Sequence, residues 1–468
     1  MNQPNILLML VDDMGYKDLG VTGSSFYETP HIDRLAAQGM LFSQCYASCP
    51  VCSPTRASLL TGKYPARVGV TNWIDWTRPD FPAGRLADAP YVDHLPEEEF
   101  TLAQALAAGG YQTWHVGKWH LGDGDAITSA HGFDVNVGGS HWGSPIEGYF
   151  SPWNIPGVPN GPEGQYLDDW LTDEAIRLME QRDAGRPFFL NLWFYLVHIP
   201  LQAPEALVEK YRRKARRMGL DRIDPMAEGE RFSVEHLRDR HIQRRMLQSN
   251  PVYAAMVEKL DENVGRILEA LDRLGLWEDT LVLFTSDNGG LSTAEGSPTC
   301  NFPLREGKGW LEEGGLREPC VIRWPGRVQP GSLCRDYFTT PDFYPTLLEA
   351  AGLPLRPEQH VDGVSIMPLL SGEHLDRGPI FWHYPHYSNQ GGTPGCAMRM
   401  GDYKLIEQFE SRGTYQLYNL RDDPSETVNL AEREPGRVEE LAALLSRWRD
   451  TEVQGYVNPI NPNWNPWD

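Results

Sequence analysis

Four apolar runs that each end in polar residues narrow the fold of this chain more than any other feature. Ile6-Leu7-Leu8-Met9-Leu10-Val11 has strand length and no polar position, the pattern of a parallel strand covered on both faces, and it ends in Asp12-Asp13. Thr280-Leu281-Val282-Leu283-Phe284-Thr285 repeats the pattern and leads to Asp287-Asn288-Gly289-Gly290. A third run over residues 187–197 is rich in aromatic and branched side chains and ends in His198. A weaker fourth, over 111–116, enters Gly117-Lys118-Trp119-His120. Helix-like segments lie between them. Residues 30–38 have Thr29 as a cap, Pro30 in the first turn and Gly39 as a stop; 102–108 end in Gly109-Gly110; 252–274 carry Met256, Leu260, Val264, Ile267 and Leu271 at helical spacing. This alternation predicts an α/β fold with a large, mostly parallel sheet between helices. Ligands of such sheets bind beyond the carboxyl ends of the strands, where all four polar clusters fall.

A second strong feature is Cys49-Pro50-Val51-Cys52-Ser53-Pro54-Thr55-Arg56. Ser53 is a good N-cap, Pro54 suits a first turn and Gly62 suits a stop, so a short helix is expected over about 54–61. Cys52 then faces the positive helix end, which favours a thiolate or a bound oxyanion, and Arg56 adds a fork of donors one turn in. The same residues also read as a C-x-x-C redox pair, or as two buried thiols without a role.

Asp12, Asp13, Asp287 and Asn288 offer only oxygen ligands, the set preferred by calcium or magnesium over zinc, and no His-x-x-x-His pair accompanies them. Each pair alone is ordinary turn chemistry. Both together, at the ends of two buried strands, point to a cation site. Lys118, His120, His198 and Lys308 would each be unremarked singly, and gain weight from their shared location.

The segment from Cys52 through Ala57-Ser58-Leu59-Leu60-Thr61-Gly62-Lys63-Tyr64-Pro65 resembles the signature of the type I, formylglycine-dependent sulfatases of the alkaline phosphatase superfamily. The run from Arg305 through Lys308 and Gly314-Gly315 to Arg317-Glu318-Pro319 resembles the glycine-rich segment of that family. The resemblance implies an alkaline phosphatase-like fold and a sulfate-ester hydrolase. In it Cys52 is oxidised by a maturation enzyme to formylglycine, whose hydrate is the nucleophile. It further implies one divalent cation, most often Ca2+, held by Asp12, Asp13, Asp287, Asn288 and the residue at 52. Arg56 and Lys118 would hold the formylglycine and the sulfate, and Asp287 would act as base. Lys118 and Lys308 would bind sulfate oxygens, His198 would protonate the leaving alkoxide, and His120 would take the proton that lets sulfate depart. Thr55 and Lys63 stand where the family more often has serine and arginine. The expected substrate is a sulfated carbohydrate such as a glycosaminoglycan. The alternatives are a phosphonate or phosphate-diester hydrolase of the same superfamily, and a homologue that binds polyanions without turnover.

A length of 468 residues exceeds what one core usually serves, so two units are expected: 1–371 with the site, and 372–468. In the second, short alternating stretches at 379–382, 397–400, 403–407 and 415–419 precede a helical pattern over 437–449 and an Asn- and Pro-rich tail. They read as a small antiparallel sheet with one helix. The net charge of −22 argues against general nucleic-acid binding. No run has the length of a membrane span, and no leader is visible. The protein is expected to be exported if a leader has been removed, and otherwise cytoplasmic. Seven scattered cysteines do not make a disulfide scaffold. Residues 210–245 hold twelve Lys and Arg against six Asp and Glu, which reads as a solvated helical insertion or as a guide for a sulfated polysaccharide. Trp73, Trp76, Trp142 and Trp153 lie in loops, as sugar-stacking surfaces or as buried anchors.

Overall fold

The four apolar runs lie side by side. A computed structural model describes residues 3–74, 84–123, 128–234, 237–411 and 413–464. Its strands, in chain order, are β1 Asn5–Val11, β2 Met40–Tyr46, β3 Gln112–Gly117, β4 Val135–Val137, β5 Phe188–Trp193, β6 Met226–Arg231, β7 His241–Arg245 and β8 Thr280–Ser286. They continue with β9 Arg317–Arg323, β10 Ser332–Cys334, β11 Phe338–Thr339, β12 Ile380–Tyr384, β13 Gly395–Met400, β14 Tyr403–Gln408 and β15 Thr414–Asn419. The large sheet has the order β10-β2-β9-β8-β1-β5-β3-β4, with β11 also pairing β2. Strands β8, β1, β5, β3 and β4 are parallel neighbours, and β9 pairs antiparallel with both β8 and β2. This is the alkaline phosphatase-like architecture.

The period of two along each strand divides the interior between the faces. Leu7, Met9 and Val11 pack with Val282 and Phe284 against helices Leu167–Gln181, Glu205–Met218 and Pro251–Arg273. Ile6, Leu8 and Leu10 pack with Phe189, Leu281 and Leu283 against helices Cys52–Thr61, Leu102–Ala108 and Phe343–Ala350. A continuous apolar run is what a strand clad on both faces requires.

The run over 187–197 is strand only to Trp193; its last residues leave the ladder and bond around Asp12, with Asp12 N donating to Leu196 O at 2.9 Å and Val197 N to Asp12 O at 2.8 Å. The cysteine helix starts at Cys52, not at Pro54, and its cap is Val51. Ser53 does not cap it, because its hydroxyl accepts from Ile74 N at 3.0 Å instead. Gly62 ends the helix at φ 68°, as its position suggested.

Strands β12 to β15 form a separate antiparallel sheet in that order. One face packs on the helix Pro435–Arg447 through Met398, Leu405, Leu417, Leu441 and Leu445. The other face, with Trp382, Ala397 and Ile406, packs on Tyr46, Cys49 and Val51, directly beside the cysteine helix. The basic stretch is α-helical to Met218, makes one 3-10 turn at Leu220–Arg222, and then forms the hairpin β6–β7. Among the described residues no helix is long and apolar enough to cross a membrane.

Candidate active site

Register brings the acidic pairs together. Val11 is paired with Ser286, so Asp12 and Asp287 leave adjacent strand ends, and Asp287 N donates to Val11 O at 3.1 Å. Asp13 turns back through a left-handed backbone, φ 62°, and its N–H donates to Asp287 Oδ1 at 3.2 Å. Asn288 Nδ2 donates to Asp13 Oδ1 at 2.9 Å. Two strands away Gly117 pairs with Trp193, which puts Lys118 beside the same spot, its Nζ 2.6 Å from Asp12 Oδ2. His198 arrives on the extension of β5, and Lys308 on the glycine-rich loop after β8.

Every residue singled out for the site in the sequence is therefore in one place, and all but His198 are almost wholly buried. Asp12, Cys52 and Asp287 offer ligand atoms within 4.8 Å of one another, as do Asp12, Asp13 and His198. Asn288 Oδ1 and Asp12 Oδ1 are buried oxygens without a hydrogen-bond partner, the condition that a coordinated cation relieves. Burial pushes the Asp12 carboxyl up, and Asp287 and Asp13 add to this against Lys118 and Arg56. Asp13 is also desolvated, but the charges of Lys308 and Lys118 hold it well below the carboxylate range. The oxygens of Asp12, Asp13, Asp287 and Asn288 make a donor set that fits a hard divalent cation.

Arg56, wholly buried, points at the carboxylates more than at the pocket. Its Nε donates to Asp287 Oδ2 at 2.9 Å, its Nη1 to the Lys118 carbonyl at 3.2 Å, and its plane lies 5.0 Å from the Trp193 ring centre. It fixes the metal-type carboxylates, a positioning task suited to its rigid fork.

Cys52, His120, His198 and Lys308 line a pocket of about 180 Å3, with Trp73, Ile74, Gly143, Ser144, Ile146, Ile199, Glu295, Asn389 and Gln390 completing its wall. His120 Nε2 lies 2.7 Å from the Ile74 carbonyl, which only accepts, so the ring proton is there and Nδ1 presents its lone pair to Cys52 Sγ at 3.4 Å. Burial and the Lys118 charge keep this imidazole neutral. His198 has the reverse tautomer: Nδ1–H donates to Ile199 O at 2.7 Å and Nε2 accepts from Lys308 Nζ at 3.0 Å. Burial and Lys308 lower His198 to about 3, so the shared proton sits on Lys308. Lys308 also donates to Asp13 Oδ2 at 2.8 Å, which raises its pKa despite burial.

Of the two readings for the helix end at position 52, a thiolate or a bound oxyanion, the surroundings do not favour the thiolate. Burial raises the Cys52 thiol, outweighing Lys118 and Lys308, because the helix end is shut away from water. The redox-pair reading is disfavoured, because Cys49 is a packing residue beside Tyr46 and Trp382 and burial pushes its thiol up, away from the thiolate a redox pair needs. Of the loop tryptophans, Trp73 lines the pocket, Trp153 is a fully buried anchor donating to Pro159 O at 3.1 Å, and Trp142 packs on the core; Trp76 lies outside the described residues. Glu295, Asn389, Gln390 and the Ile74 carbonyl escaped sequence reasoning. They stand in loops with no periodicity and no motif.

A cluster of buried carboxylates and lysines around a helix-end cysteine, at the carboxyl ends of an alkaline phosphatase-like sheet, defines a hydrolase of anionic esters. Residues 4–353 match the family model described as sulfatase, and 307–450 match that described as N-sulphoglucosamine sulphohydrolase, C-terminal. The chain belongs to the sulfatase family and is a sulfuric ester hydrolase. It is 32% identical to a sulfatase of Formosa agariphila, covering 93% of this chain and 86% of that one. It is likewise 32% identical to the N-acetylgalactosamine-6-sulfatase of Canis lupus familiaris, over 86% of this chain and 71% of the relative. Among solved structures, Ps i-CgsB in complex with k-i-k-neocarrahexaose superposes with a TM-score of 0.76 at 28% identity, covering 99% of this chain and 95% of the other.

Proposed function

We propose that the protein removes a sulfate group from a sulfated carbohydrate of the glycosaminoglycan or sulfated-galactan type, using formylglycine made from Cys52 and a bound Ca2+. The observation that carries this reading is the pair of buried oxygens without a hydrogen-bond partner, Asp12 Oδ1 and Asn288 Oδ1, in the carboxylate ring beside Cys52. The likeness to relatives named for N-acetylgalactosamine 6-sulfate and to a carrageenan-oligosaccharide complex supports the carbohydrate part. When present, the formylglycine hydrate would supply the nucleophile, and the cation, held by Asp12, Asp13, Asp287 and Asn288, would polarise the sulfate.

The chain's own residues account for the remainder. Lys118 and Lys308 place two buried ammonium groups where sulfate oxygens gather negative charge. The leaving oxygen takes its proton from the Lys308–His198 pair, which lines the pocket and in which Lys308 Nζ donates to His198 Nε2. His120 Nδ1 is placed to accept a proton from the group at position 52, and its Nε2–H stays on Ile74 O. Asp287 is anchored by Arg56 and serves the cation first, with the base role second. The conversion of Cys52 requires a separate maturation enzyme.

Protein co-produced with such an enzyme should release sulfate from sulfated sugars, and intact mass should show the thiol replaced by an aldehyde. Chelation should abolish release, and Ca2+ should restore it better than Zn2+. Matured, cation-loaded protein that frees no sulfate from any sulfated sugar would refute the reading.

A further inference from the structure

The catalytic pocket, at about 180 Å3, is smaller than the several hundred Å3 usual for small-molecule sites, so a substrate larger than one sulfated sugar must extend beyond it. A wider hollow of about 510 Å3 adjoins it, and Glu295 and Asn389 line both. Its far wall is the hairpin β6–β7 and the turn within it, which supply Phe232, Arg240 and His241. We infer that this hollow is a second saccharide subsite, which takes the sugar next to the sulfated one and pairs a negative charge on it with Arg240. The inference rests on the sulfated-carbohydrate reading above.

The arginines of the basic stretch are not equivalent. Arg212 and Arg216 pair with Glu205 and Glu209 on their own helix, Arg216 at 2.9 Å from Glu209. Arg244 is held by Glu230 and Glu306, each at 2.8 Å. Arg245 bonds the Ser297 carbonyl and Ser249. Arg240 is exposed in the wall of the hollow, and its guanidinium has no hydrogen bond or ion pair among the described residues. A fork of donors left open in a concavity suits a carboxylate or a sulfate. His241 donates Nδ1–H to Gly229 O at 2.8 Å, which orients its ring, and Phe232, largely buried in the core beneath, closes the wall of the hollow with an apolar edge.

Glu295 sits where the two hollows meet, in a left-handed backbone with φ 52°. Its carboxylate accepts hydrogen bonds from sugar hydroxyls and repels a second anion close to the reacting sulfate. The two residues together therefore favour substrates whose next negative charge lies on the neighbouring sugar, at the Arg240 end.

The test compares wild type, Arg240→Gln and Arg240→Lys on four probes. These are 4-methylumbelliferyl sulfate, a sulfated monosaccharide, a uronate-containing sulfated tetrasaccharide, and a carrageenan tetrasaccharide with sulfate but no carboxylate. With Arg240→Gln, kcat/KM for the tetrasaccharides relative to the aryl sulfate should fall about tenfold, mainly through KM, and Arg240→Lys should recover part of it. A fall confined to the uronate probe identifies a carboxylate partner, and one confined to the carrageenan probe a sulfate partner. An unchanged ratio with both, or an equal loss on all four probes, overturns the subsite. Failure of the wild type on every probe would instead reject the sulfated-carbohydrate reading. In that case calorimetry of the tetrasaccharides with Cys52→Ser decides the subsite: about tenfold weaker binding on adding Arg240→Gln supports it, and no difference overturns it.

Discussion

Asp13 and His120 hold left-handed backbones, φ 62° and 59°, a conformation that costs a residue with a side chain about 1–3 kcal/mol. In both, a chain leaving a strand end folds back on itself, and the turn carries the side chain into the site. His120 gains from this a fixed tautomer, with Nδ1 aimed at residue 52 and Nε2–H on Ile74 O. His120→Ala should therefore lower kcat by about 10²–10⁴-fold with a much smaller change in KM, read from steady-state sulfate release. A mutant that loses only substrate affinity would remove His120 from the proton path. Asn288→Ala deletes the unpartnered Oδ1 and should weaken cation binding at least about tenfold, measured by titrating Ca2+ into chelator-stripped protein. Unchanged affinity would strike Asn288 from the ligands. The members of the site were legible from their strand ends and motifs, but Arg56 shows what was not. Its partners, Asp287 and the Lys118 carbonyl, lie far along the chain, so its turning toward carboxylates could not be read from spacing.

At the scale of elements, the sheet centre was readable because strands covered on both faces need uninterrupted apolar runs. Strands β2 and β9 escaped for the converse reason. Strand β2 alternates buried with half-exposed positions and carries Ser43 and Gln44, while β9 opens with Arg317, Glu318 and Pro319, so neither presents such a run. The helix at Cys52 was misplaced by two residues because a distant amide, Ile74 N, took the Ser53 hydroxyl. Gly117 is the element-level device that launches Lys118 from β3: its φ is 101°, and an added Cβ would fall 1.9 Å from Trp193 O. Gly117→Ala should cost roughly 2–4 kcal/mol in denaturant unfolding and reduce activity beyond the loss of folded protein, because it displaces Lys118 from Asp12. Wild-type stability in that variant would contradict a close approach of Gly117 to Trp193.

At the scale of the whole molecule, the C-terminal sheet is tied to the catalytic part by a fully buried charge cluster. Lys404 Nζ lies 3.0 Å from Glu313 Oε1 and 2.9 Å from Glu426 Oε1, and Glu426 Oε2 accepts from Glu313 N at 2.7 Å. Burial pushes Glu426 up, to about 8, against the Lys404 charge. Lys404→Ala removes the cation shared by Glu313 and Glu426, leaving Glu313 only Arg317 at 3.8 Å and the Tyr46 hydroxyl, and should cost about 3–5 kcal/mol by chemical denaturation, whereas Lys404→Met with Glu313→Gln and Glu426→Gln should recover much of it. Equal losses in both variants would show that packing, not charge, joins the parts. The cysteine helix is enclosed between these parts, with all ten of its residues buried and Cys52 only 2% exposed. No outside catalyst can grip such a segment once the chain has closed around it. The oxidation proposed above for position 52 would thus be a matter of timing, available to the nascent polypeptide and denied to the finished one. Protein folded first and offered its modifying enzyme afterwards should stay inert for good.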